Sequence, residues 1–193
     1  MVHAMIDLQM RQLLLLRHAK SAWDDPELPD HARPLNNRGR LAARLMAAEM
    51  LRLGLTPDVV LVSSARRTLQ TLEALKPLDG SPIVTVSDEL YLAPWQGLIT
   101  ILNKVPETVR SVLVIGHNPG LHELALNLLT PGTPASPMLF RLQDGYPTGA
   151  LSEFTIAKPW HDLTDGGGRL MSFIAPRDLP GMEHASPAEE GHP

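Results

Sequence analysis

Two histidines stand where two apolar runs stop: Leu13 to Leu16 breaks at Arg17-His18, and Val112 to Ile115 breaks at Gly116-His117-Asn118-Pro119. A third run, Val59 to Val62, ends in Ser63-Ser64-Ala65-Arg66-Arg67. If each run is a strand of an open parallel α/β sheet, its carboxyl end faces the crevice where such sheets bind ligands. Both imidazoles and at least one guanidinium then meet at one rim. A neutral imidazole is a nitrogen nucleophile, and arginine forks bind phosphate oxygens bidentately, so this set of residues points to phosphoryl chemistry.

The elements needed to hold such a rim are legible. Residues 12–17 read as a strand covered on both faces, because a short, continuous apolar run suits a parallel sheet. A polar, proline-bearing loop spans 24–37, with Asn37 as a helix cap and Leu41, Leu45, Ala48 and Leu51 spaced along one helical face. Gly54 and Pro57 end that helix. Strand 59–62, helix 67–75, strand 83–86, helix 95–104, strand 112–115 and helix 122–129 follow. The alternation implies a parallel, doubly wound sheet. Leu151 to Ile156 and Leu170 to Ile174, joined across Gly166-Gly167-Gly168, read as an antiparallel hairpin at one edge.

Composition narrows the classes. At 193 residues one domain, 1–193, is expected, with a core of about 12–180 and a flexible tail at 181–193; the segment from Pro176 onward reads as surface. Residues 1–10 read as an N-terminal extension. Zero cysteines exclude thiol catalysis and zinc-thiolate sites. A net charge of −4 argues against nucleic-acid binding, and no stretch approaches the roughly 20 apolar residues of a membrane span. No signal-peptide pattern precedes Leu13, so a cytoplasmic location is expected. His3, His31, His161, His184 and His192 are too scattered for a metal site, and His122 is expected outside the pocket. Trp23, Tyr91 and Trp95 read as packing residues and Arg66 as a surface residue.

In this order the motifs resemble the histidine phosphatase superfamily, and within it the SixA-type phosphohistidine phosphatases. Arg17-His18-Ala19 is similar to the family's opening motif, and Leu35 with Gly39 to the start of its first helix. Ser63, Arg67, Gln70 and Thr71 match its second arginine motif, which makes Arg67 the pocket arginine. Asp88-Glu89-Leu90-Tyr91, Gly116 to Gly120, Pro147 to Leu151 and Pro176 to Leu179 also resemble that branch. The resemblance implies a three-layer α/β/α fold of the phosphoglycerate mutase type, with a mostly parallel sheet.

It further implies that His18 attacks phosphorus, forming a phosphohistidine intermediate that water hydrolyses, with no cofactor and no metal. Arg17, Arg67 and His117 would bind the transferring group, and Ser21 and Asp24 are further candidates to touch phosphate. Three sources of the leaving-group proton stay open: Glu89, Asp24 or solvent. The implied substrate is phosphohistidine on a signalling protein, such as a histidine phosphotransfer domain; the alternative is a small phosphate ester, handled by a phosphatase or mutase.

Overall fold

The computed structural model describes residues 10–182. A single sheet runs β3-β2-β4-β1-β5-β6. Its strands are β1 (Arg11–Arg17), β2 (Val59–Ser63), β3 (Ile83–Ser87), β4 (Ser111–Gly116), β5 (Leu151–Ile156) and β6 (Gly168–Ile174). The first four are mutually parallel; β5 runs antiparallel to β1 and β6 to β5. This is the mixed sheet with an edge hairpin expected from the sequence.

Alternation along the buried strands feeds two separate cores. Leu13, Leu15, Val112 and Val114 face α3 (Trp95–Leu102) and α4 (Gly120–Leu128), whereas Leu14, Leu16, Leu113 and Ile115 face α1 (Asn37–Arg52) and α2 (Arg66–Leu75). A fifth helix, α5 (Pro137–Asp144), adds Leu142 to the first core. The sequence reading passed over α5, whose eight residues sit in a stretch punctuated by proline and glycine. Its start is nevertheless capped, since Ser136 accepts from the Leu139 amide.

Three local expectations are corrected. Helix α1 buries Ala42, Ala43, Met46 and Met50, a face offset from the predicted stripe: Leu41 and Leu45 pack at its edge, but Ala48 is exposed and Leu51 is 65% exposed. Small alanines let the helix lie close to the sheet, and flexible methionines fill the remaining space. Its cap is Asn36, whose side chain accepts from the Gly39 amide, and not Asn37. Pro176, Leu179 and Met182 are buried, the last two in the α1–α2 core, so the segment after Ile174 is packed at least to Met182. The expectations for residues 1–9 and 183–193 lie outside the described residues. No helix among the described residues is long and apolar enough to cross a membrane.

The topology decides where the site forms. β1 and β4 are neighbours, yet the chain leaves them toward opposite faces, to α1 and α4, which opens a crevice at their carboxyl ends. Arg17 pairs with Gly116, so His18 and His117 leave adjacent strands at the same height.

Candidate active site

His18 is buried, and its Nδ1 lies 2.8 Å from the Ala19 carbonyl. A carbonyl only accepts, so Nδ1 carries the proton and Nε2 presents its lone pair to the crevice. The turn that supplies this carbonyl is fixed from two sides. The Ala19 amide donates to Thr71 Oγ1 (3.0 Å), which donates to the Arg67 carbonyl (2.7 Å). Gly39 lies against the next residue so closely that a Cβ there would sit 2.1 Å from the Lys20 carbonyl oxygen.

Arg67, in the first turn of α2, is the hub. Its Nε lies 3.3 Å from His18 Nε2 and one terminal nitrogen 3.3 Å from His117 Nδ1. Its outer edge donates to the Asp30 carbonyl (2.6 Å) and to Asp30 Oδ2 (2.9 Å). Asp30 therefore anchors the guanidinium from outside, while the inner edge faces both imidazoles across long contacts that phosphate oxygens could take over. Tyr91 completes this anchor: its hydroxyl donates to Asp30 Oδ2 at 2.6 Å, and its ring meets that of His117 edge-on.

The imidazole rings of His18 and His117 are 5.1 Å apart. Arg67 must donate to His117 Nδ1, so the His117 proton sits on Nε2, 2.8 Å from Ser63 Oγ. A hydroxyl can also donate, so Ser63 permits the opposite tautomer, in which Nδ1–H would face a phosphoryl oxygen. Arg17 reaches across from β1 and donates to the Tyr146 carbonyl (2.8 Å), which Asn118 also caps (2.9 Å). Arg17 Nε is buried with no hydrogen-bond partner among the described residues.

The electrostatics keep both imidazoles neutral. Burial, reinforced by the charges of Arg67 and Arg17, lowers His18 to about 4 despite the opposing pull of its bond to Ala19. Burial, then proximity to His18 and Arg67, lowers His117 to about 3. Burial and Arg67 likewise lower Arg17. Asp30 is shifted the other way in charge: the hydrogen bond from Tyr91 and the pairing with Arg67 hold its carboxyl below the usual range, so it is an anion.

Arg17, His18, Ser21, Arg67 and His117 all line one cavity of about 700 Å³. Lys20, Arg38 and Arg177 add positive charge to its wall, and Asp30 is the single acid among the described residues lining it. Asp24 and Glu89 do not line it. The loop brings Asp30, and not Asp24, to the cavity. In the tight turn 88–90 Leu90 enters the core and Tyr91 turns to the site, which leaves Glu89 outside, 3.8 Å from Lys104. Trp23, expected to pack, is 69% exposed at the cavity rim with the Arg33 guanidinium 4.1 Å over its ring. Arg66 is exposed, and His122 bonds the Leu142 carbonyl away from the cavity.

Asp30 and the Tyr91 hydroxyl, which hold Arg67 from outside, are the groups at the site that the sequence reading missed. Their signal was faint: an acid three residues before Arg33-Pro34-Leu35, in a loop with no periodicity. No group of three or more His, Asp or Glu among the described residues has a metal-binding arrangement.

Comparison with known proteins identifies relatives of this fold. An uncharacterised protein of Mycobacterium tuberculosis (strain ATCC 25618 / H37Rv) is 35% identical over 163 residues, which is 84% of this chain and all of the relative. A structure assigned as a phosphohistidine phosphatase SixA, from Nakamurella multipartitia, superposes with a TM-score of 0.76 at 30% identity, covering 86% of this chain and 96% of its own. The protein histidine phosphatase SixA complexed with tungstate gives 0.69 at 28% identity, covering 86% and 98%. The α-ribazole phosphatase of Shigella flexneri, at 16% identity and 0.59 over 86% and 96%, shares the fold alone. The model of the histidine phosphatase superfamily (branch 1) matches residues 13–119, and the chain belongs to that superfamily.

Proposed function

We propose that this protein is a phosphohydrolase that transfers a phosphoryl group to His18 and hydrolyses the phosphohistidine so formed, acting on phosphohistidine of a signalling protein. One observation carries the reading: a buried imidazole, its tautomer set by Ala19, aims a lone pair into a cavity walled by Arg17, Arg67 and His117. In the transition state negative charge spreads over the equatorial phosphoryl oxygens, and these three side chains are placed to receive it. The positive charge of the two arginines, with a hydrogen bond from His117, supports a reaction that proceeds without a divalent cation.

The proton inventory supports this substrate. An alkoxide leaving group demands an acid, yet the only carboxyl group among the described residues of the cavity wall is the ionised Asp30. Phosphohistidine does not make that demand, because its leaving imidazole takes up a proton at its other nitrogen beforehand. The related SixA structures support the same substrate class. A second reading, a small phosphorylated metabolite, is favoured by Lys20, Arg38 and Arg177 in the cavity wall, which suit a further anionic group.

The test is turnover in EDTA of a phosphohistidine-labelled phosphotransfer domain beside sugar phosphates and phosphoglycerates, with His18→Ala as control. Preferential, His18-dependent loss of label from the protein is expected. Preference for a small phosphate would move the assignment to the second reading, and full activity of His18→Ala would overturn the nucleophile.

A further inference from the structure

Asp30 anchors Arg67 with its carbonyl and with only one of its two carboxylate oxygens. Its Oδ2 takes both the Arg67 and the Tyr91 hydrogen bonds, while Oδ1, 4.0 Å from Arg33 Nε, makes no hydrogen bond among the described residues. The side chain is 45% exposed and lies on the cavity wall. A partly exposed anionic oxygen thus belongs to the wall of the cavity that a phosphorylated substrate would enter.

We propose that Asp30 is a specificity-determining residue for phosphoryl groups carried on nitrogen, its Oδ1 accepting a hydrogen bond from the ring N–H of the departing imidazole. The proposal rests on the phosphohistidine reading above and names the group that reads the leaving side. The step balances as follows. The His18 Nε2 lone pair forms a bond to phosphorus as the substrate's P–Nε2 bond breaks. The electron pair of that bond returns to the departing ring, which already holds a proton on Nδ1 and leaves as neutral imidazole. A carboxylate beside that N–H stabilises the protonated ring, which is the form able to depart. Substrate and enzyme imidazoles are then handled alike. Ala19 fixes Nδ1–H of His18 for the second half-reaction, when His18 is itself the leaving group, and Asp30 does the same for the substrate in the first.

The groups around Asp30 permit this. Arg67 from α2, Tyr91 beyond β3 and Arg33 from its own loop keep the carboxylate charged, and the sole bond from Tyr91 goes to the oxygen that Arg67 also uses. An alkyl phosphate gains nothing from an acceptor at this place, since its leaving oxygen needs a donor.

Asp30→Asn separates the roles, because its amide oxygen still accepts from Arg67 and Tyr91 while the charge is lost. The probes are Nε2-phosphohistidine and p-nitrophenyl phosphate, whose leaving group needs no proton. Both activities fall, but kcat/KM for phosphohistidine should fall about tenfold further, the equivalent of about 1.4 kcal/mol. The alkaline limb of kcat for phosphohistidine should also move down by about one pH unit, with no matching movement for the aryl ester. Equal losses on both probes with an unmoved limb, while the wild type turns over phosphohistidine, would overturn the Asp30 role alone. A wild type inert toward phosphohistidine but active on the aryl ester would overturn the substrate reading and this inference with it.

Discussion

Replacing His18 by glutamine should change how the fold responds to acid, by an amount the structure sets. Burial and the neighbouring guanidiniums hold the folded-state value at about 4, against 6.5 for an unhindered histidine. The unfolded chain therefore takes up a proton first, and stability contributed by the neutral ring is lost as pH falls from 6.5 toward 4. At about 1.4 kcal/mol per unit of displacement, the loss reaches about 2–3 kcal/mol by pH 4.5. Glutamine carries no such linkage and keeps a polar group beside Arg67. Urea denaturation of both proteins at pH 7.5 and pH 4.5 reads the effect as a difference of differences, in which carboxylate titrations common to both cancel. The variant should gain about 2–3 kcal/mol on the wild type between the two pH values. Parallel pH dependence would show that His18 titrates in the fold as it does in the unfolded chain, and would refute the argument that burial and the neighbouring guanidiniums hold the ring neutral.

Three further outcomes are expected. Arg67→Ala should lower kcat by about 10²- to 10³-fold in steady-state assays, as removal of an oxyanion donor does elsewhere, while circular dichroism shows the fold retained. Glu89→Gln should leave kcat within about twofold, because the carboxylate sits at the surface beside Lys104; a loss of about 10²-fold or more would restore it as general acid. Gly39→Ala should destabilise the protein by about 1–3 kcal/mol in urea, since its Cβ would overlap the Lys20 carbonyl, and should lower activity through the adjoining His18 turn.

The central site was readable because strand ends are readable. Leu13 to Leu16 and Val112 to Ile115 are unbroken apolar runs, and the polar residues that end them are the ones a parallel sheet delivers to its crevice. Asp30 and Tyr91 were hidden because nothing periodic places them; their position follows from tertiary contacts to Arg67, 37 and 24 residues away along the chain. Glu89 shows the converse. Motif register brought it near the site, but a tight turn separates neighbouring side chains so sharply that Tyr91 entered and Glu89 did not. The misplaced stripe on α1 has a similar cause, for leucine content overstated the burial of Leu51, and alanine and methionine understated theirs.

The pairing of β1 also constrains when the protein can begin to work. Its register joins Arg17 to Gly116 and Leu16 to Leu151, and the Arg17 side chain is held by the carbonyl of Tyr146. Contacts of such sequence separation form late, after the entropy of closing long loops has been met. A nascent chain that has emerged only as far as α3 possesses His18 and Arg67 but neither neighbour of β1, and so has no assembled pocket. Catalytic competence should accordingly arise in one step near completion of synthesis, and recovery of turnover during refolding should track formation of the whole sheet and not of any single βα unit.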